Sequence, residues 1–321
     1  MSRTTLRGHP VVQAPGKLFL IGEYAVLEGG VAVVAAINRH AVGQFLDESD
    51  DESALITEVM RVTSLALGDR GAALPPGSIL VDSSALSGDG KKLGLGSSAA
   101  TAVAAVGAML EFAGVPMAGN TDLLFSLADT AHRAAQGGVG SGADVAASAH
   151  GGILSYMRPA GGVPVIRKLA PLTCVEMVVF AAGEPSSTVD RVRAVAALAE
   201  RAPEQHRWLI AELRRAADSF IESMALGDGR RLIMSARAAG QVMAALGRAA
   251  NVTIVTPALQ HAEKLAEELG GAAKPSGAGG GDVGVAFFPD RAGAAAFTTR
   301  APAAGVQILD VHIDSEGALR R

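Results

Sequence analysis

Three glycine-bearing segments hold the residue types that handle phosphate. They are Pro15-Gly16-Lys17 followed by Gly22-Glu23-Tyr24, then Gly94-Leu95-Gly96-Ser97-Ser98, then Ser276-Gly277-Ala278-Gly279-Gly280-Gly281-Asp282. A glycine turn that opens straight into a helix aims free backbone N–H groups and the positive helix end at one point, which is how an anion is held. The segment at 94–98 precedes an alanine-rich stretch and fits that form, and its two hydroxyls are hard oxygens of the kind Mg²⁺ accepts. Taken alone, the same turn is equally compatible with a serine-capped helix start. Neither Walker A spacing nor a strand-first G-x-G-x-x-G is present, which excludes an ordinary P-loop or dinucleotide site. Of the 28 basic residues six are lysines, and four of those, Lys17, Lys91, Lys92 and Lys274, stand in or beside the three segments. Where arginine is the default cation, that placement suggests sites that use a compact ammonium.

The elements that must position these segments are legible from periodicity and turn residues. Short β-rich runs at 11–14, 17–21, 31–37 and 40–46 predict an opening sheet. Apolar residues at helical spacing predict helices at 53–67, 97–113 and 121–136, the last with Asn120 as its N-cap, and a strand is expected at 79–81. Asp144 falls in a glycine-rich turn leading into a short helix. Strands are expected at 151–157, 163–169 and 174–181, a mostly helical stretch at 188–269, and strands at 283–288 and 306–313 around a helix at 291–301. With 321 residues the chain suits two domains, divided here at the Pro171 turn into 1–170 and 171–321, of mixed α+β class.

Composition narrows the function classes. Hydrophobic residues at 49% against 19% charged predict a globular chain rather than a disordered one. A net charge of −4, with no polybasic block, argues against a dedicated nucleic-acid or membrane-surface binder and for small-molecule partners. Cys174 is the only cysteine, so no intrachain disulfide or cysteine-based zinc cluster can form, and a reducing, cytoplasmic setting fits. Arg3 and Arg7 are not followed by an apolar run, so no secretory leader is expected. The stretch at 94–115 has the length of a membrane span, but Ser97, Ser98, Thr101 and Glu111 interrupt it, and a buried helix is expected. The seven histidines show no metal-ligand spacing, and His132 is expected to be a packed histidine. Trp208, with Leu209 and Leu213, is expected on a buried helix face, and Cys174 as an inert core residue opening a strand.

Together, in this order, the segments at 14–27, 94–100 and 274–284 resemble the motifs of the GHMP kinases, and the resemblance covers nearly the whole chain. It implies a two-domain fold, with a ribosomal-protein-S5-like N-terminal domain, a ferredoxin-like C-terminal domain, and ATP with Mg²⁺ in the cleft between them. Within the superfamily the chain most resembles phosphomevalonate kinases of the bacterial type. Tyr24 stands where mevalonate kinases usually place histidine, 136–148 and 183–188 resemble segments of that branch, and Asp282 follows the triple glycine. Gly138 and Val283 depart from its common Asn and Cys. The resemblance implies transfer of the ATP γ-phosphoryl group to 5-phosphomevalonate, giving 5-diphosphomevalonate, by a monomer or homodimer. It assigns Lys17, Lys92 and Asp144 to catalysis, and Gly94, Leu95, Gly96, Ser97, Ser98 and Ala99 to ATP, with Ser97 also on Mg²⁺. It assigns Tyr24, Gly140, Ser141, Ser186, Ser187, Gly277, Ala278, Gly279, Gly280 and Asp282 to the acceptor.

Two phosphates brought together need more positive charge than an alcohol acceptor does, which Lys17, Lys92 and Arg193 are placed to supply. A phosphate dianion is already nucleophilic near neutral pH, so Asp144 is expected to orient Lys17 or the acceptor; with an alcohol acceptor it becomes the base candidate. Three other readings stay open at this point: a mevalonate kinase, a non-catalytic ligand sensor on the same fold, and an unrelated α/β protein that holds an anion without chemistry.

Overall fold

The computed structural model describes residues 9–46, 53–72, 77–88, 91–138, 140–183 and 188–321. In chain order the elements begin β1 (Val11–Ile21), β2 (Ala32–Leu46), α1 (Ala54–Gly68) and β3 (Ser78–Asp82). The two-residue strands β4 (Ser87–Gly88) and β5 (Lys91–Lys92) come next, then α2 (Ser97–Phe112), α3 (Thr121–Ala135) and α4 (Ala143–His150). They continue as β6 (Ile153–Met157), β7 (Val165–Leu169), β8 (Glu176–Ala181), α5 (Thr188–Arg201), α6 (Pro203–Leu226), α7 (Gly229–Ala250) and α8 (Pro257–Glu268). The last are β9 (Ala272–Pro275), β10 (Val283–Phe288), α9 (Arg291–Arg300), β11 (Gln307–Leu309) and β12 (Leu319–Arg320).

Two compact units share this chain. One comprises Met1–Lys17, Ala36–Gly152 and Ile313–Arg321, the other Leu18–Ala35 and Ile153–His312, so β1 and β2 each pass from one unit into the other. In the first unit β12 pairs with β1 at Val12↔Arg320, and β3 with β2 from Val42↔Asp82 to Leu46↔Ser78, both antiparallel. Helix α2 is buried around its whole circumference from Ala102 to Leu110 because α1, α3, α4 and β3 all pack on it. That burial accounts for its apolar sequence, and no helix among the described residues is long and apolar enough to cross a membrane.

In the second unit β6 lies between β2, paired Ala32↔Tyr156 to Ala35↔Ile153, and β7. A separate antiparallel sheet runs β11-β8-β10-β9, with α7 and α8 packed on β9 and α6 on α7. Its core is aromatic: Phe220 meets Phe287 at 5.6 Å between ring centroids, and Phe297 meets Phe288 at 5.3 Å. Each fully buried phenylalanine contributes about 2–3 kcal/mol of transfer free energy.

Several expectations are corrected. The breaks read at Pro15-Gly16 and at Asn38-Arg39 do not end strands; β1 and β2 run through both. Strand β9 was not foreseen, because Ala272-Ala273-Lys274-Pro275 has no strand propensity of its own and is ordered by pairing with β10. Asn120 does stand at the N-cap of α3, but its amide donates to the Pro116 carbonyl at 2.8 Å instead of capping. Trp208 is 58% exposed while Leu209 and Leu213 are buried, since adjacent helical residues do not share a face. Cys174 is half-buried and precedes β8 rather than opening it, and its burial holds the thiol above its ordinary pKa.

Helix α8 carries a titratable group inside the fold. Glu263 Oε1 is buried without a hydrogen-bond partner and lies against Gly240 of α7, 3.4 Å from where a Cβ would stand. Burial first, and the neighbouring Glu267 second, push its carboxyl up to about 7 from an ordinary 4.5. The folded state therefore holds a proton that the unfolded chain releases, and stability falls as pH rises from about 4.5 through 7. Glu263→Gln is expected to raise the melting temperature at pH 8 by the equivalent of up to about 3 kcal/mol and to leave it unchanged at pH 4.5. Thermal melts of both proteins across that range check it.

Candidate active site

The first two glycine segments meet within the first unit. Lys17, 8% exposed, donates its backbone N–H to the Leu95 carbonyl at 2.8 Å and its ammonium to the Gly94 carbonyl at 3.0 Å. The turn comes this close only because residue 16 lacks a side chain: a Cβ there would stand 2.6 Å from Leu95 O and 2.4 Å from Leu86 Cδ2. Strand β1 continues through Pro15, and the Leu95 carbonyl takes the N–H of Lys17, two positions on. Gly96, at φ +80°, is the N-cap of α2, so the turn is capped by glycine and not by serine.

Behind the turn, His132 of α3 holds Ser98. Its Nε2 is 3.0 Å from the Ser98 hydroxyl and 2.9 Å from the Gln136 amide nitrogen, and the ring is buried. His132 thus supports a candidate phosphate ligand. The segment 140–144 opens α4: Ser141 Oγ accepts from Ala143 N at 3.2 Å, and Arg133 donates to the Gly140 carbonyl at 3.2 Å. Asp144 stands half-buried in the first turn of α4, accepting from Val145 N at 3.0 Å, where a negative charge complements the helix dipole. Lys92 is exposed on β5, paired opposite Ser87.

The third segment lies in the second unit with the latter half of the first. Tyr24 is buried at φ +62°, an unusual backbone for a tyrosine, and its hydroxyl donates to the Ala278 carbonyl at 2.7 Å. Burial holds the Tyr24 phenol well above its ordinary pKa, so it serves as a donor. Lys274 is ion-paired with Glu23 and wholly buried, so the cation that the lysine count pointed to is neutralised within the protein. Gly279 and Gly280 are carried by Ile254, whose carbonyl receives the Gly280 N–H at 2.8 Å. The buried arginine beside this segment is Arg191 of α5, 4% exposed and 3.8 Å from the Asp282 carboxylate. Arg193, the expected cation, faces solvent two positions on. Nothing in the sequence separates the two arginines except the helical phase of α5. Ser186 and Ser187 lie outside the described residues.

Comparison with known proteins identifies the family and the fold. Residues 54–152 match the GHMP kinases N terminal domain and residues 230–307 the GHMP kinases C terminal domain. The chain is 33% identical to a phosphomevalonate kinase of Streptomyces sp. over 87% of its own length and 89% of the relative's. It is 30% identical to a mevalonate kinase of Aeropyrum pernix, covering 86% and 88%. Among solved structures, a Streptococcus pneumoniae phosphomevalonate kinase in complex with phosphomevalonate and AMPPNP superposes with a TM-score of 0.82 at 23% identity, over 94% of this chain and 99% of that one. Two matched domains, a full-length relative above 30% identity and the three glycine segments in place establish that this chain belongs to the GHMP kinase family and has its two-domain fold.

Proposed function

We propose that this protein is a phosphomevalonate kinase, transferring the γ-phosphoryl group of ATP to 5-phosphomevalonate to give 5-diphosphomevalonate and ADP. The observation that carries the reading is the 33% identity to the Streptomyces phosphomevalonate kinase along nearly the full length of both chains. The fold match to the Streptococcus enzyme, solved with phosphomevalonate and AMPPNP, is in keeping with it.

On this reading the turn from Gly94 to Ala99 holds the ATP phosphates at the N-terminus of α2, and Lys17 presents a fixed ammonium to charge developing on the transferred group. Lys92 adds positive charge from β5. The acceptor phosphate is itself the nucleophile, so Asp144 orients its neighbours and removes no proton. Tyr24, Gly140, Ser141, Ser186, Ser187, Gly277, Ala278, Gly279, Gly280 and Asp282 receive the acceptor. Mg²⁺ fits the donor set: Ser98 is engaged by His132, Ser97 offers a second hard oxygen at the same helix start, and this ion takes few protein ligands. When bound, the ion supplies charge neutralisation on the nucleotide phosphates. The division of roles between an ATP-binding N-terminal domain and a C-terminal domain, and a cytoplasmic setting, belong to the same proposal.

The test is ADP release by the purified protein with Mg²⁺-ATP and mevalonate, 5-phosphomevalonate, homoserine or galactose as separate acceptors. Turnover confined to 5-phosphomevalonate is expected. Turnover with mevalonate instead would make the relationship to the Aeropyrum enzyme the functional one and turn Asp144 into the base candidate. Silence with all four while ATP still binds would overturn the 5-phosphomevalonate assignment in favour of a sensor or of an acceptor outside these four.

A further inference from the structure

Residues 19–24 and 274–278, some 250 positions apart, are fastened by a set of buried and half-buried contacts within the second unit. Phe19 N donates to Ser276 Oγ at 2.9 Å, and Tyr24 Oη donates to the Ala278 carbonyl at 2.7 Å. Between them Lys274 Nζ donates to Glu23 Oε1 and, at 2.7 Å, to the Pro275 carbonyl. The same carboxylate oxygen receives the Gly277 N–H at 3.4 Å. Glu23 is 2% exposed and Lys274 not at all, and Glu23 Oε2 is buried without a hydrogen-bond partner.

Stability does not explain such a pair. Desolvating two charges costs as much as their attraction returns, and a well-packed apolar pair of the same volume commonly does as well or better. Leaving one carboxylate oxygen unsatisfied adds to the cost. What an apolar pair cannot do is hold an amide. Glu23 grips Gly277 N, Ile254 grips Gly280 N, and Tyr24 grips the carbonyl of Ala278, so the backbone from 277 to 280 is pinned at both ends and in the middle. The positive φ of Tyr24 is an independent sign: a strained backbone persists where its surroundings over-determine it, and such residues cluster at functional sites.

We propose that Glu23 and Lys274 are positioning residues for the acceptor, their buried pair fixing the orientation of the Gly277–Gly280 backbone that receives an anionic, phosphate-bearing substrate. This rests on the acceptor assignment above. A charge pair that merely balances itself and one that sets geometry differ in the double variant. Glu23→Leu and Lys274→Met each leave a buried charge uncompensated and are expected to lower the melting temperature. Their combination removes both charges and is expected to restore it. The positioning role requires that the double variant still show a KM for 5-phosphomevalonate raised at least tenfold, a KM for ATP within twofold of the wild type, and faster hydrogen exchange of the 277–281 amides. Wild-type acceptor KM and exchange in the double variant would overturn the proposal, as would an equal rise in both KM values. Glu23→Asp, which keeps the charges and shortens the reach by one methylene, is the safeguard against a double variant that does not fold. It is expected to raise the acceptor KM alone, and an unchanged value would count against positioning. If the wild-type protein does not use 5-phosphomevalonate, the functional reading fails by itself, and the exchange measurement still decides whether the pair pins this turn.

Discussion

Lys17→Met is expected to lower kcat at least ~100-fold while the protein stays folded. Removing a preorganised electrostatic contact to a transition state costs about 3–4 kcal/mol, and each 1.4 kcal/mol is about tenfold in rate. Lys17 is built for such a contact, being almost buried and held at both its backbone N–H and its ammonium by consecutive carbonyls of the 94–98 turn. Methionine keeps the length and apolar stem, and the loss in stability includes the charged hydrogen bond to the Gly94 carbonyl, about 1.5–3 kcal/mol. Single-turnover rates with saturating ATP and acceptor, beside a thermal melt, check both halves. A rate near wild type would remove Lys17 from the chemistry.

Gly96→Ala is expected to cost nearly as much activity by a different route. Gly96 sits at φ +80°, which disfavours any side chain by roughly 1–2 kcal/mol, and a Cβ there would stand 2.7 Å from Lys17 Cγ and 3.1 Å from Lys17 Cε. Neither atom can keep its place. Lys17 must swing off the turn or the turn must change shape, and displacement by about 1 Å costs on the order of 100-fold in rate. The expected signature is a raised KM for ATP together with a lowered kcat, because the same turn is read as the phosphate cradle. Gly68→Ala, a change at a position with open space around it, is the control and is expected to behave as wild type.

Lys17, Ser97 and Ser98 could be singled out as candidates because lysines and hydroxyls beside glycine turns are visible one residue at a time, whereas the role expected of Asp144 came from the resemblance alone. Whole helices were legible too, as at α2 and α3, since their apolar faces repeat every turn. What stayed hidden were the supports that depend on contacts across long sequence separations. Glu23 reads as part of a motif, but only the fold shows it spending its charge on Lys274. His132 reads as an ordinary packed histidine until the Ser98 hydroxyl is found 3.0 Å away. Pro15-Gly16 reads as a strand break because glycine and proline usually are breaks; here β1 runs on through both, and Gly16 is required for lacking a Cβ.

The order in which the polypeptide is laid down has a consequence for synthesis. Residues 313–321 belong to the unit that begins the chain: Ile313 bridges Ile37, Asp314 exchanges backbone bonds with Ala36 and Gly152, and Leu319–Arg320 pairs with β1. All of residues 153–312 are translated first, which takes roughly 10–30 s at ~5–20 residues per second. Throughout that interval the outer edge of β1 at Val12 and Gln13 waits on the nascent chain without the strand that will cover it. An uncovered strand edge is a template for pairing with another chain, so during that wait β1 offers such a template at Val12 and Gln13.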